Sequence, residues 1–112
     1  MSDAGEKLVE FKRAWMDADT SYVGDIQKAG NDPSLVQEID ANWWRHQANW
    51  SMAATAALEK NSTEIQDLLR DAKQANDSIK AGRARAEEIG ALVRKSSTAA
   101  DALSKLLKAV AS

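Results

Sequence analysis

SIKAGRARAEEIGALV, residues 78–93, carries Gly82 in the middle of the C-terminal half of the chain. Whether a helix runs through that glycine or stops near it decides the architecture. Apolar residues recur every seven positions on both sides. From Leu58 onward the a positions of a heptad are Leu58, Ile65, Ala72, Ile79, Ala86, Val93, Ala100 and Leu107, all apolar. The d positions are Asn61, Leu68, Ala75, Gly82, Ile89, Ser96, Leu103 and Val110. This repeat is the pattern of coiled-coil-type helix contact. Its phase survives Gly82, so the spacing predicts one helix over about 62–110, reaching ~73 Å at about 1.5 Å per residue. The rival reading puts a hairpin at Ala81-Gly82-Arg83 and makes the chain an up-down four-helix bundle. Along the a row, Ala72, Ala86 and Ala100 alternate with Ile65, Ile79, Val93 and Leu107, which calls for a facing helix with an offset pattern.

The N-terminal half reads as an antiparallel helical hairpin. Ala4, Leu8, Phe11, Trp15, Ala18, Tyr22 and Ile26 recur at spacings of 3 and 4, the mark of one helical face over about 4–29. Gly30 suits the C′ position, where φ is positive. Asp32 is a natural N-cap and Pro33 fits the first helical position, so a second helix begins at 33 and is expected to reach about 60. The short connection makes the two helices antiparallel neighbours. Near Asn61-Ser62-Thr63-Glu64 the pairs Asn61/Glu64 and Thr63/Gln66 both fit a capping box and suggest a new start.

No stretch alternates with period two, so the fold class expected is all-α, as a single domain over 1–112. The core must be thin. Leu, Ile, Val and Phe number 20 of 112 residues, while alanine numbers 21, and alanine buries little area per side chain. The formal charge of −2 is no nucleic-acid signature. Residues 1–56 are net −4 and residues 57–112 net +2. The absence of cysteine excludes disulfides and thiol catalysis. MSDAGEKLVE has neither a basic n-region nor an apolar h-region, and no apolar run spans a membrane, so a cytoplasmic location is the default expectation. Secretion without a leader would leave the same pattern.

NWWRHQANW, residues 42–50, gathers three of the four tryptophans. Trp43, His46 and Trp50 fall on the helix face shared with Leu35 and Ile39, and a turn near residue 31 brings them to Phe11 and Trp15. The six aromatic residues Phe11, Trp15, Tyr22, Trp43, Trp44 and Trp50 are therefore expected to form the core of the hairpin. Trp44 points about 100° away from Trp43, so it either packs on the third helix or is exposed. Beside Arg45 it is a candidate partner-binding hot spot, because Trp and Arg dominate such sites. His46 is the only histidine, and its neighbours at i±3 and i±4 are Asn42, Trp43, Asn49 and Trp50, none of them a carboxylate. It is thus expected to pack rather than ligate a metal. No phosphate loop, nucleophile arrangement or paired-carboxylate motif occurs, so neither a cofactor nor a small-molecule substrate is expected.

IQKAGNDPSL, residues 26–35, resembles the helix–loop–helix of type III secretion needle subunits, in which a polar, proline-marked loop joins two helices. That likeness implies a component or cargo of a specialised secretion system. The second loop proline of that pattern is missing here, and the chain extends well past the point where such subunits end. The residues themselves point first to a non-enzymatic structural or adaptor protein acting by helix–helix association, with itself or with another helical protein. A hairpin of about 40 Å cannot cover a 73 Å seam, so Ile79, Ile89, Val93, Leu103 and Leu107 are candidate partner contacts. The acidic N-terminal half also suits an immunity or inhibitor protein that binds a toxin.

Overall fold

A computed structural model describes residues 3–112; Met1 and Ser2, at the start of the expected 1–112 domain, lie outside the described residues. The chain forms four helices: α1 (Asp3–Ala29), α2 (Pro33–Ala53), α3 (Thr63–Ala84) and α4 (Ile89–Ala111). The all-α class is as expected, and no strand occurs among the described residues.

The α1–α2 turn is built from the signals the sequence carries. Gly30 takes φ +58°, and its N–H donates to the carbonyl of Ile26 at 3.2 Å, closing the end of α1. The Asp32 carboxylate accepts from the backbone N–H groups of Ser34 and Leu35, and Pro33 opens α2. Trp43 on α2 meets Trp15 and Asp19 on α1, and Asp40 meets Tyr22, which sets an antiparallel register.

Two boundaries differ from expectation. α2 stops at Ala53, not near residue 60. In this register Ala53 lies level with the first turns of α1, so a longer α2 would have no hairpin partner to cover it. Residues 54–62 instead cross the end of the bundle irregularly. They insert Leu58 into the core, and the Lys7 ammonium, itself fully buried, donates to the carbonyls of Leu58 and Lys60 at 2.7 Å each. Ser62 then caps α3 by accepting from the N–H of Ile65, one residue away from either capping pair expected.

The continuous helix over 62–110 is not what forms. α3 ends at Ala84, and the chain reverses through residues 85–88 into α4. The longest dimension of the protein is accordingly 43 Å. The reversal is a Schellman motif: the N–H of Glu87 donates to the carbonyl of Gly82, and the N–H of Ala86 donates to that of Arg83. Ala86 sits in the left-handed region at φ +52°, where glycine is the usual occupant. Gly82 is not the turn residue. A Cβ placed on it would meet Glu87 Oε1 at 2.7 Å and Leu92 Cδ2 at 2.9 Å, so its role is to let α4 start close against α3.

The heptad seam thereby closes on itself. Ile65, Ala72 and Ile79 of α3 and Val93, Ala100, Leu103 and Leu107 of α4 are all buried. Ile79 packs with Ala99, and Ala72 belongs to the same cluster as Leu103, so the offset partner that the alternating row demands is the neighbouring helix of the same chain. α1 lies against the other three helices and α2 against α4, while α2 and α3 stand across the diagonal without contact among the described residues. Arg83 ties α3 to α1. Its guanidinium holds both Asp17 and Asp25 in bidentate pairs of 2.6–3.0 Å, and these bonds raise it above its usual range despite the opposing effect of burial.

The turn makes opposite demands from those of a continuous helix. Ala86→Gly should stabilise the protein by about 0.5–1 kcal/mol by relieving the left-handed alanine. Gly82→Ala should destabilise it by about 1–3 kcal/mol through overpacking against Leu92. In a helix running through both positions the signs would reverse, since alanine is favoured over glycine by about 1 kcal/mol in a helix interior. Urea unfolding of the two variants distinguishes the cases.

Candidate protein-binding surface

The stretch NWWRHQANW divides its side chains among three directions on α2. Asn42, His46 and Asn49 are buried and form a polar stripe against α4. The Asn42 amide donates to the Val93 carbonyl and its oxygen accepts from Ser97; the Asn49 amide donates to the Ala100 carbonyl and to the Ser104 hydroxyl. His46 Nε2 lies 3.1 Å from both the carbonyl and the hydroxyl of Ser96. A carbonyl only accepts, so Nε2 carries the ring hydrogen. Nδ1 is left as a buried acceptor without a partner among the described residues. The parallel helices α2 and α4 are thus joined by side chains that donate to helix carbonyls rather than by apolar contact alone.

The second direction faces α1. Trp43 makes edge contacts with Trp15 (ring centroids 5.2 Å apart) and with Tyr22 (6.2 Å), and its indole N–H donates to Asp19 at 3.1 Å. The Tyr22 hydroxyl donates to Asp40, and this bond, with burial adding to it, raises the phenol above its usual range. Trp15, Tyr22, Trp43 and Trp50 are only half-buried, whereas Phe11 is fully enclosed. The expectation of six aromatics in the hairpin core therefore holds for Phe11, while the tryptophans line its margin.

The third direction is outward. Trp44 is 62% exposed, standing perpendicular on Trp43 at 4.8 Å. Arg45 lies on the opposite flank and pairs with Asp101 of α4. Trp44 is one of several exposed apolar side chains of the N-terminal hairpin. Leu8, Val9, Met16, Val23 and Met52 are also exposed. Val9, Met16 and Val23 are seven residues apart on α1, so they share one direction, and it is the direction opposite the core face of that helix. This spacing was available in the sequence. Val23 and Trp44 line one groove of about 370 Å³ with Asp19, Tyr22, Asp40 and Trp43.

The residues expected to contact a partner along the C-terminal seam lie elsewhere. Ile79, Val93, Leu103 and Leu107 are buried in the chain's own core, and Ile89 packs half-buried beside Val93. Their assignment to a partner rested on an uncovered seam, and the reversal at 85–88 covers it. Among the described residues no helix is long and apolar enough to cross a membrane. No protein-family model matches this chain, and neither does any curated protein or solved structure.

Burial pushes His46 down to about 4, outweighing the opposing hydrogen bond to the Ser96 carbonyl; the neighbouring Arg45 cation lowers it further and Asp17 pulls slightly the other way. An unfolded histidine titrates near ~6.5. Between those values the unfolded chain binds the proton and the folded chain does not, so stability should fall as pH drops from about 6.5 towards 4, by on the order of 3 kcal/mol over that span. His46→Gln retains a donor towards Ser96 and should flatten this part of the pH profile, measured by denaturant unfolding. An unchanged slope in the variant would refute the assignment to His46.

Proposed function

We propose that this protein is a non-enzymatic helical binding module, whose outer α1–α2 face recognises another protein. One observation carries the reading. Among the described residues, the large apolar side chains that remain exposed (Leu8, Val9, Met16, Val23, Trp44 and Met52) all belong to α1 and α2. The apolar seam of α3 and α4 is spent inside the fold. Of the exposed side chains, Val23 and Trp44 line one groove rimmed by Asp19 and Asp40, while Met52 lies beside α4; apolar surface rimmed by polar groups marks interaction sites on soluble proteins. Tryptophan is among the residue types that most often dominate such contacts. The adaptor role inferred from the heptads thus moves from the C-terminal helices to the N-terminal hairpin. Asp19 and Asp40 beside Trp44 favour a second reading, an inhibitor or immunity protein that offers an acidic, aromatic face to a basic toxin.

Replacing Val23 and Trp44 together by serine removes two side chains that contribute little to the core. Stability should change by no more than ~0.5 kcal/mol per site, as for ordinary surface substitutions. The complex that the wild type forms in extracts of its native host, followed by size-exclusion chromatography, should be lost. A double variant that keeps the same complex would overturn the assignment of this face.

A further inference from the structure

We propose that the groove between α1 and α2 receives a lysine or arginine side chain of a protein partner, held between Trp44 and the carboxylates of Asp19 and Asp40. This rests on the binding-face reading above and specifies its chemistry. The two carboxylates are already oriented: Asp19 accepts from the Trp43 indole and Asp40 from the Tyr22 hydroxyl. A carboxylate has about four acceptor positions, so each retains capacity after those bonds. Among the described residues neither takes part in an ion pair, although Asp17, Asp25, Asp77 and Asp101 all do. The groove therefore carries negative charge that the fold leaves uncompensated.

The aromatic wall reinforces that sign. Indole and phenol faces are electron-rich and attract a cation lying over them. Trp44 is largely exposed and stands perpendicular to Trp43, which is itself braced by Trp15 and Tyr22. Val23 supplies an apolar surface for the methylene stem of a long cationic side chain. An acidic occupant would meet two like charges. A purely apolar one would strip water from both carboxylates without replacing it. The N-terminal half, at net −4, extends the same preference to the surroundings and favours encounter with a basic segment.

A helical leucine–lysine heptad peptide, with its lysines free or acetylated, tests this against the full chain by NMR of the indole N–H resonances. The free-lysine form should shift the Trp43 and Trp44 signals, bind more weakly as salt rises, and lose about tenfold in affinity on acetylation. Asp19→Asn with Asp40→Asn keeps an acceptor oxygen at each position while removing the charge, and should cost about as much as acetylation. Equal affinity for both peptides, or no loss in the double variant, overturns the cation preference. If Trp44→Ala still weakens binding in that case, the binding face itself stands. Absence of any shift at Trp43 and Trp44 overturns the proposal outright, and the arms that compare the two peptides on the wild type need no variant to fold.

Discussion

The close approach of α3 and α4 at Gly82 is the constraint on which the rest of the fold depends. With hydrogen at that position, Leu92 can lie against the last turn of α3, and the chain can reverse within residues 85–88. The reversal folds the heptad seam onto itself, so that its α3 and α4 residues pack in shared clusters. It also sets α4 against α2, where the Asn42, His46 and Asn49 side chains reach its carbonyls. Moving the turn by even one residue would rotate the α4 face by about 100° and break that polar register.

Buried polar groups do an unusual share of the positioning here. Lys7 holds the crossing segment, Arg83 bridges Asp17 and Asp25, Asn76 donates to Glu10, and the α2 stripe holds α4. A core rich in alanine packs helices closely but discriminates poorly between registers, because one alanine face resembles another. Hydrogen bonds to particular carbonyls discriminate sharply, since a slip leaves them buried and unpaired. The thin core and the polar seams are therefore two sides of one design. Trp15, Tyr22, Trp43 and Trp44 lie at the margin of the α1–α2 hairpin, and the structure thereby carries an aromatic surface.

Much of this was legible in the residues. The helix class, the Gly30–Pro33 turn and the apolar faces follow from local rules: positive φ at glycine, a cap at aspartate, and a period of 3.6. The 100° offset of Trp44 from Trp43 left it either packed on the third helix or exposed, and the packing of the helices decided for exposure. The exposed row Val9, Met16 and Val23 was equally readable, since spacing by seven places residues in one direction whichever way that direction faces. What a period cannot report is which of two apolar faces is covered.

By itself, then, the sequence determined helix type, the first turn, and which residues share a face on each helix, because those depend on interactions within a few residues. The tertiary structure alone decided where the C-terminal heptads break. A heptad states that a face is apolar, not that the chain bearing it is continuous, and its phase carries across a four-residue reversal as readily as through a helix. The left-handed residue at that reversal is alanine rather than glycine, so the usual local signal is missing. Closure of the seam outweighs the backbone strain there, and α2 ends at Ala53 for a related reason, because beyond it α1 has no surface left to offer. Both outcomes rest on which surfaces meet, and that is a property of the packed helices rather than of any short run of residues.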